Sequence, residues 1–233
     1  MIYVITGTSS GIGKAIAEFY LEKGSFVIGI SRRSTIQHPH YFHISCDFSK
    51  LEELQALTLP KELIQANAPI CLINNAGVIG QIGRVENQSL QNYTEVALVN
   101  TVAVQYLCTY VIQHFGYKQI NTIISISSGA GQYPISSWAA YCASKASINL
   151  FMETLHKEIQ ELGENTHVFS LSPGIVDTEM QEKIRSSNTS DFSRHSEFVE
   201  LKESQKLRSP KEVASLLDEF LTTIPHEGVI FRL

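Results

Sequence analysis

Ile2-Tyr3-Val4-Ile5-Thr6-Gly7-Thr8-Ser9-Ser10-Gly11-Ile12-Gly13 is the stretch on which the fold turns. Its apolar start reads as a buried strand over Ile2–Thr6, and the glycines after it let the chain bend into a helix predicted over Gly11–Lys23, ended by Gly24. A strand that passes through glycines into a helix can hold a pyrophosphate. The backbone approaches the ligand closely, and the helix start offers unpaired N–H groups with partial positive charge. The spacing here is G-x-x-x-G-x-G, and a simple tight turn produces the same pattern. Gly7, Ser9, Ser10, Gly11, Ile12 and Gly13 are the candidate cofactor contacts of this turn.

Outward from this turn, Ser25–Ser31, Tyr41–Cys46, Ile70–Asn74, Ile120–Ser127 and His167–Ser172 read as strands, and Gly228–Phe231 as a last one. Helices are predicted over Leu51–Ala66, interrupted by Pro60, and over Ser89–His114, Trp138–Leu162 and Pro210–Thr222, the last with proline in its first turn. Strands alternating with helices imply crossover units. The expected fold is a single doubly wound, Rossmann-type α/β domain spanning 1–233, with about seven mostly parallel strands and helices on both faces. A chain of 233 residues with 43% hydrophobic content can bury one such core. Glu179–Leu207 is polar, serine-rich and weakly periodic. It follows a strand end and is expected to be a substrate lid.

Composition narrows the function. The net charge is -5, with 18 basic against 23 acidic side chains and no long basic run, which argues against a nucleic-acid partner. No apolar stretch reaches the length of a bilayer span, and the apolar start lacks the basic flank of a secretion signal, so no membrane partner is expected. Cys46, Cys71, Cys108 and Cys142 form no C-x-x-C pair and read as free thiols in a reducing cytoplasm. The Asn-x-Ser/Thr triplets at Asn87, Asn92 and Asn188 then carry no glycosylation meaning. His38, His40 and His43 fall in a loop and a short strand without a matching ligand set, so a solvated loop is expected rather than a metal site.

The second predicted strand ends at Ser31-Arg32-Arg33. A carboxylate there would accept from the ribose 2′-hydroxyl of NAD, whereas arginine favours the 2′-phosphate of NADP. Arg32 and Arg33 therefore point to NADP(H), against the blander alternative of two solvated arginines.

Tyr141 and Lys145 are four residues apart on a predicted helix and share a face, with Cβ atoms roughly 5–6 Å apart. A phenol titrates near 10, and bringing it to neutrality takes roughly 3 units, or about 4 kcal/mol. One ammonium at about 4 Å supplies that order of energy at an effective dielectric near 20. Lys145 is thus expected to lower the Tyr141 pKa, and can also hydrogen-bond the nicotinamide ribose. Ser128, at the end of the fifth predicted strand, can hold a carbonyl oxygen for protonation by Tyr141. Ser127 would point to the opposite face. Chance alone yields roughly 0.4 Tyr-x-x-x-Lys matches in such a chain. The pattern occurs once, after the fifth strand of a chain that opens with a glycine cradle. Trp138 and Tyr133 bracket the loop between Ser128 and Tyr141 and either line a pocket or pack. The same choice applies to Met180 and Phe192 of the lid, while Cys142 is expected to pack.

These motifs, in this order and nearly end to end, resemble the short-chain dehydrogenase/reductase family. Thr6–Gly13 resembles its T-G-x-x-x-G-I-G cofactor motif, and Asp47 the acidic residue at the adenine. Asn74-Asn75-Ala76-Gly77 resembles the N-N-A-G motif that stabilises the central sheet, with Asn75, Ala76 and Gly77 at the cofactor. Asn100 resembles the asparagine that holds a water in the proton relay, completing a tetrad with Ser128, Tyr141 and Lys145. Pro173-Gly174-Ile175 resembles the P-G segment beside the nicotinamide, and Thr178 the threonine that binds its carboxamide. Two positions depart from the pattern: Ala103 stands where glycine is frequent, and Ser10 where many NADP-using members carry a basic residue. Ser31-Arg32-Arg33, Ala140-Tyr141-Cys142, Ser172–Thr178 and Ile184-Arg185-Ser186-Ser187 resemble a branch that reduces diketones and aromatic ketones. The resemblance implies NADPH-dependent reduction of a small carbonyl substrate. It also implies a homodimer or homotetramer joined through Ser89–His114 and Trp138–Leu162. An alcohol or sugar dehydrogenase working oxidatively, and a cofactor-binding regulator without catalysis, remain open as alternatives.

Overall fold

The computed structural model describes residues 1–60, 68–224 and 227–233. Seven strands form one sheet: β1 (Ile2–Thr6), β2 (Phe26–Ser31), β3 (Tyr41–Ser45), β4 (Ile70–Asn74), β5 (Ile120–Ile126), β6 (His167–Ser172) and β7 (Ile230–Arg232). They lie in the order β3-β2-β1-β4-β5-β6-β7 and every pairing is parallel. Parallel neighbours need crossovers, which is why helices cover both faces. Within β1, Ile2 and Val4 face one core layer, with α2 (Leu51–Ala56), α4 (Ala103–Phe115) and α5 (Ala139–Glu161). Tyr3 and Ile5 face the other, with α1 (Gly11–Glu22) and α8 (Pro210–Thr222). This alternation is the period of two of a strand buried on both sides, and each fully buried Ile or Leu contributes roughly 1.5–3 kcal/mol.

The strand order reverses between β1 and β4. From β1 the chain adds β2 and β3 on one side, then returns to build β4 to β7 on the other. The carboxyl ends of β1 and β4 therefore flank a crevice, which is where ligands bind in sheets of this kind.

Three predicted elements differ in detail. The helix predicted over Leu51–Ala66 stops at Ala56, because Leu57 and Leu59 turn inward at 4% and 3% exposure and the Leu59 N–H donates to the Tyr110 hydroxyl at 3.1 Å. Residues 61–66 of that prediction lie outside the described residues. The helix predicted over Ser89–His114 is capped by Ser89 and runs as α3 (Leu90–Ala97), a π-helical turn (Leu98–Val102) and α4. Leu90–Phe115 is long and apolar enough to cross a bilayer by length and composition, against the expectation that no apolar stretch reaches that length. Half of its apolar window is buried, with Val99, Ala103, Val104, Leu107, Cys108 and Val111 in the core. The last strand begins at Ile230, since Gly228 has φ +92°. The 179–207 stretch, weakly periodic in sequence, contains α6 (Glu179–Arg185) and α7 (His195–Glu203).

Candidate active site

Most candidate residues follow the carboxyl ends of six adjacent strands, β3 to β6 in the sheet order, so the parallel sheet gathers them on one edge; Asn100, Tyr141 and Lys145 are supplied by helical elements. At the end of β1, Gly7 has φ +73°, and a β-carbon there would meet Asn75 Nδ2 at 2.9 Å. A β-carbon on Gly13 would lie 2.3 Å from Asn75 Nδ2 and 2.4 Å from the Gly7 carbonyl oxygen. Glycine at both positions is thus required by close approach. Asn75 closes the turn: its Nδ2 donates to the Thr6 carbonyl at 3.0 Å, while the Thr6 hydroxyl oxygen accepts from the N–H groups of Asn75 and Ala76 at 2.9 Å each. Ser10 is the N-cap of α1 yet gives no side-chain cap, and the first turn holds no acidic residue. The positive helix start therefore stays uncompensated, as a phosphate-binding turn requires. The cradle fits a dinucleotide pyrophosphate.

The candidate adenosine contacts lie at the ends of β2 and β3. The Ser9 carbonyl accepts from the Thr35 hydroxyl at 2.9 Å, and Thr8, fully buried, shares hydrogen bonds with the hydroxyls of Tyr41 at 2.8 Å and Ser31 at 3.3 Å. Arg32 and Arg33 are exposed just beyond. Burial, the largest influence on the Asp47 carboxyl, acts to raise its pKa, but bonds from Ser49 and the charge of Arg32 outweigh it and leave the group below its ordinary value. His43 is not a solvated residue: its Nε2 contacts the Ser31 hydroxyl at 3.1 Å and the Ser31 carbonyl oxygen at 3.0 Å. His38 and His40 stay in the exposed loop.

The tetrad candidates converge from three elements. Tyr141, Lys145 and Asn149 stand four residues apart along α5. Ser128 caps a short turn after β5, its hydroxyl accepting from the Ala130 N–H at 3.2 Å. Ser127 points away, donating to Asn149 Oδ1 at 2.7 Å, as the alternation of a strand dictates. Asn100 sits in the π turn. Its side chain pairs with the Val78 peptide at both ends, accepting from the N–H at 2.8 Å and donating to the carbonyl at 2.9 Å, and it donates to the Ser144 hydroxyl at 3.0 Å. A β-carbon on Gly77 would have Asn100 Oδ1 at 3.5 Å and Lys145 Nζ at 3.6 Å, which places that glycine between the two side chains.

The expected lowering of the Tyr141 pKa by Lys145 is not what this geometry produces. Burial pushes the phenol up to about 12, with the Ser128 hydroxyl pulling the other way as a hydrogen-bond partner. Lys145 Nζ lies 5.7 Å from the Tyr141 ring centroid and donates to the Ile126 carbonyl at 2.8 Å. Its own pKa is lowered by burial to about 8. A desolvated ammonium bonded to a backbone carbonyl has its charge committed there, and the phenol remains a protonated donor at neutral pH.

At the end of β6, Arg208 holds the 173–175 segment. Its Nη1 donates to the Pro173 carbonyl at 3.0 Å and its N–H to the Ile175 carbonyl at 3.1 Å. Gly174 has φ +77°, and Thr178 caps α6 with its Cγ2 3.3 Å from where a Gly11 β-carbon would stand. The segment after β6 thus closes against the glycine turn.

Trp138, Tyr141, Ile79, Ala130, Ile184, Phe192 and Phe198 pack as one apolar cluster. Trp138 is buried in it, while Tyr133 is 68% exposed and outside it. Phe192 is fully buried, stacked on Trp138 with centroids 5.3 Å apart, and Met180 and Cys142 pack at the margin. Beside this wall a polar cleft of about 510 Å³ opens between the 80–82 loop, α3 and the end of α6, lined among others by Gln81, Glu95 and Lys183. Sequence reasoning passed over Thr8, Tyr41, Asn149 and Arg208. Thr8 is an unspecified position of the glycine motif and the other three lie in no motif; each acts through a partner far away in the chain.

Residues 1–189 match the short chain dehydrogenase family. The chain is 36% identical to a benzil reductase ((S)-benzoin forming) of Bacillus subtilis (strain 168) over 235 residues, covering 99% of this chain and 97% of that protein. It is 34% identical to a benzil reductase ((S)-benzoin forming) of Bacillus cereus, covering 94% and 93%. Among solved structures, it is similar to a short chain dehydrogenase/reductase from Saccharomyces cerevisiae, with a TM-score of 0.86 and 26% identity, covering 99% and 95%.

Proposed function

The chain belongs to the short-chain dehydrogenase/reductase family of oxidoreductases, which use nicotinamide cofactors, and on that premise we propose that it reduces a ketone or 1,2-diketone to the alcohol with NADPH, Tyr141 giving the proton. The observation that carries this reading is the Tyr141 phenol, held protonated by burial beside Ser128 and against an aromatic wall. When bound, the reduced dinucleotide supplies the hydride that the carbonyl carbon receives. Ser128 orients the carbonyl oxygen, and Tyr141 transfers its proton to that oxygen as negative charge builds there. The alkoxide so formed is a stronger base than a phenolate, so a phenol near 12 still gives up its proton downhill. Lys145, buried at the same place, binds the ribose and returns a proton to Tyr141, with Asn100 supporting that relay. The oxidative direction would need the phenolate, which burial disfavours.

The cofactor is held by the glycine turn, by Asn75, Ala76 and Gly77, by Ile175 and Thr178 at the nicotinamide, and by Arg32 and Arg33 at the 2′-phosphate. The apolar wall suits aromatic ketones, and the 179–207 segment acts as lid. Cys46, Cys71 and Cys108 are buried, and burial raises all three thiols, in keeping with a cytoplasmic protein. We also propose a homodimer or homotetramer through the outer faces of α3–α4 and α5, where Leu90, Val102 and Leu150 are exposed.

The test is loss of NADPH absorbance with benzil, 1-phenyl-1,2-propanedione, a simple ketone and a sugar, with NADH in parallel, for the parent and Tyr141→Phe. Diketone turnover with NADPH that drops by orders of magnitude in Tyr141→Phe, with NADPH still bound, is the expected result. Near-parental turnover in the variant rules the mechanism out.

A further inference from the structure

Trp138 is the chain's one tryptophan. It stands immediately before α5, three residues ahead of Tyr141, and is 6% exposed. The two rings meet edge to face, with centroids 5.9 Å apart at 89°. Among the described residues, the buried Trp138 Nε1 has no hydrogen-bond partner. An indole N–H can only donate, and leaving a buried donor unpaired is costly enough that buried tryptophans usually find an acceptor. Of the side chains packed around this one, Ile79, Ala130, Ile184, Phe192 and Phe198 carry no acceptor, and the hydroxyl of Tyr141, whose partner is Ser128, makes no hydrogen bond to the indole.

Ser128 and Tyr141 together serve one carbonyl oxygen. A 1,2-dicarbonyl brings a second oxygen on the adjacent carbon, and aromatic substituents on it match the hydrocarbon wall. We propose that the Trp138 indole N–H donates a hydrogen bond to this second oxygen and so selects 1,2-dicarbonyls over monoketones; this rests on the carbonyl-reductase reading above. The bond satisfies the orphaned donor and fixes which face of the diketone is presented to Tyr141. A monoketone of the same outline leaves the donor unpaired and is discriminated against, as in any site built around a polar group its ligand must satisfy.

Two measurements test it. In the first, proton–nitrogen correlation spectra of the isotopically labelled protein with NADP+ follow the one indole N–H signal during titration with benzil or with deoxybenzoin, the matching monoketone. The signal is expected to move downfield with benzil and to stay near its starting position with deoxybenzoin. In the second, Trp138→Phe keeps an aromatic ring but no donor. The ratio of kcat/KM for benzil over deoxybenzoin is expected to fall roughly 10-fold or more. An indole signal shifted equally by both compounds, together with an unchanged ratio, removes Trp138 from this role and leaves the carbonyl-reductase reading standing. Failure of the parent protein to turn over either compound with NADPH removes both.

Discussion

The Ser127 hydroxyl donates to Asn149 Oδ1 at 2.7 Å, and this bond fixes which of two adjacent serines faces Tyr141. The same Oδ1 accepts from the Ser170 hydroxyl at 2.7 Å, so one amide ties the end of β5 to β6 from the middle of α5.

Asn149→Ala leaves both hydroxyls without this acceptor at sites 5% and 0% exposed. Each orphaned group costs about 1–3 kcal/mol. Thermal unfolding should show a loss of this order, and kcat should fall more than KM rises, because Ser127, the neighbour that sets the position of Ser128, loses its anchor. A variant as stable as the parent would show that the two serines find other partners.

Lys145 carries a stability penalty. Its folded pKa, about 8, lies below the ordinary 10.5, so between these values the unfolded chain holds the extra proton and stability from this group rises with pH. Below about 8 the full penalty stands. Lys145→Met removes it while losing the bond to Ile126, worth about 1 kcal/mol. The variant should be inactive, yet more stable than the parent at neutral pH by on the order of 1–2 kcal/mol. That advantage should shrink as pH climbs from 8 to 10.5, which thermal melts across the range will read.

Arg32 is exposed at the end of β2 and makes no side-chain ion pair among the described residues beyond its influence on Asp47. If it meets a 2′-phosphate, Arg32→Ala should weaken NADPH about 10- to 100-fold, the worth of one charge-assisted bond, and leave NADH nearly unchanged. Equal losses for the two cofactors, measured by titration calorimetry, would undo the NADP assignment.

Leu150 is 66% exposed on α5. A charge there is tolerated in a monomer but not in an apolar contact between copies. Leu150→Glu should lower the mass seen in sedimentation with no loss of secondary structure. An unchanged mass argues against assembly through this face.

Much of the architecture is legible in the sequence because buried parallel strands are short apolar runs with sharp ends. Ile70–Asn74 and His167–Ser172 match residue for residue. The π turn at Asn100 is not legible, since helical spacing continues through it; it is set by the Val78 peptide, which pairs with the Asn100 side chain from 22 residues away. Nor is the extended course of Leu57 and Leu59, where core burial overrides helix propensity. Lys145 shows the limit at the site: four-residue spacing brings it near Tyr141, but the Ile126 carbonyl, which spacing cannot reveal, claims its ammonium.

The Thr6 hydroxyl bonds to backbone 69 and 70 residues further along, so the phosphate cradle is a product of long-range pairing and not of the glycine turn alone. The residues of the turn are local, but the bonds that close it require β4 to be paired with β1. A dinucleotide seated in that cradle, as proposed above, would bridge the two central strands and stabilise the folded sheet by binding it in preference to the open chain.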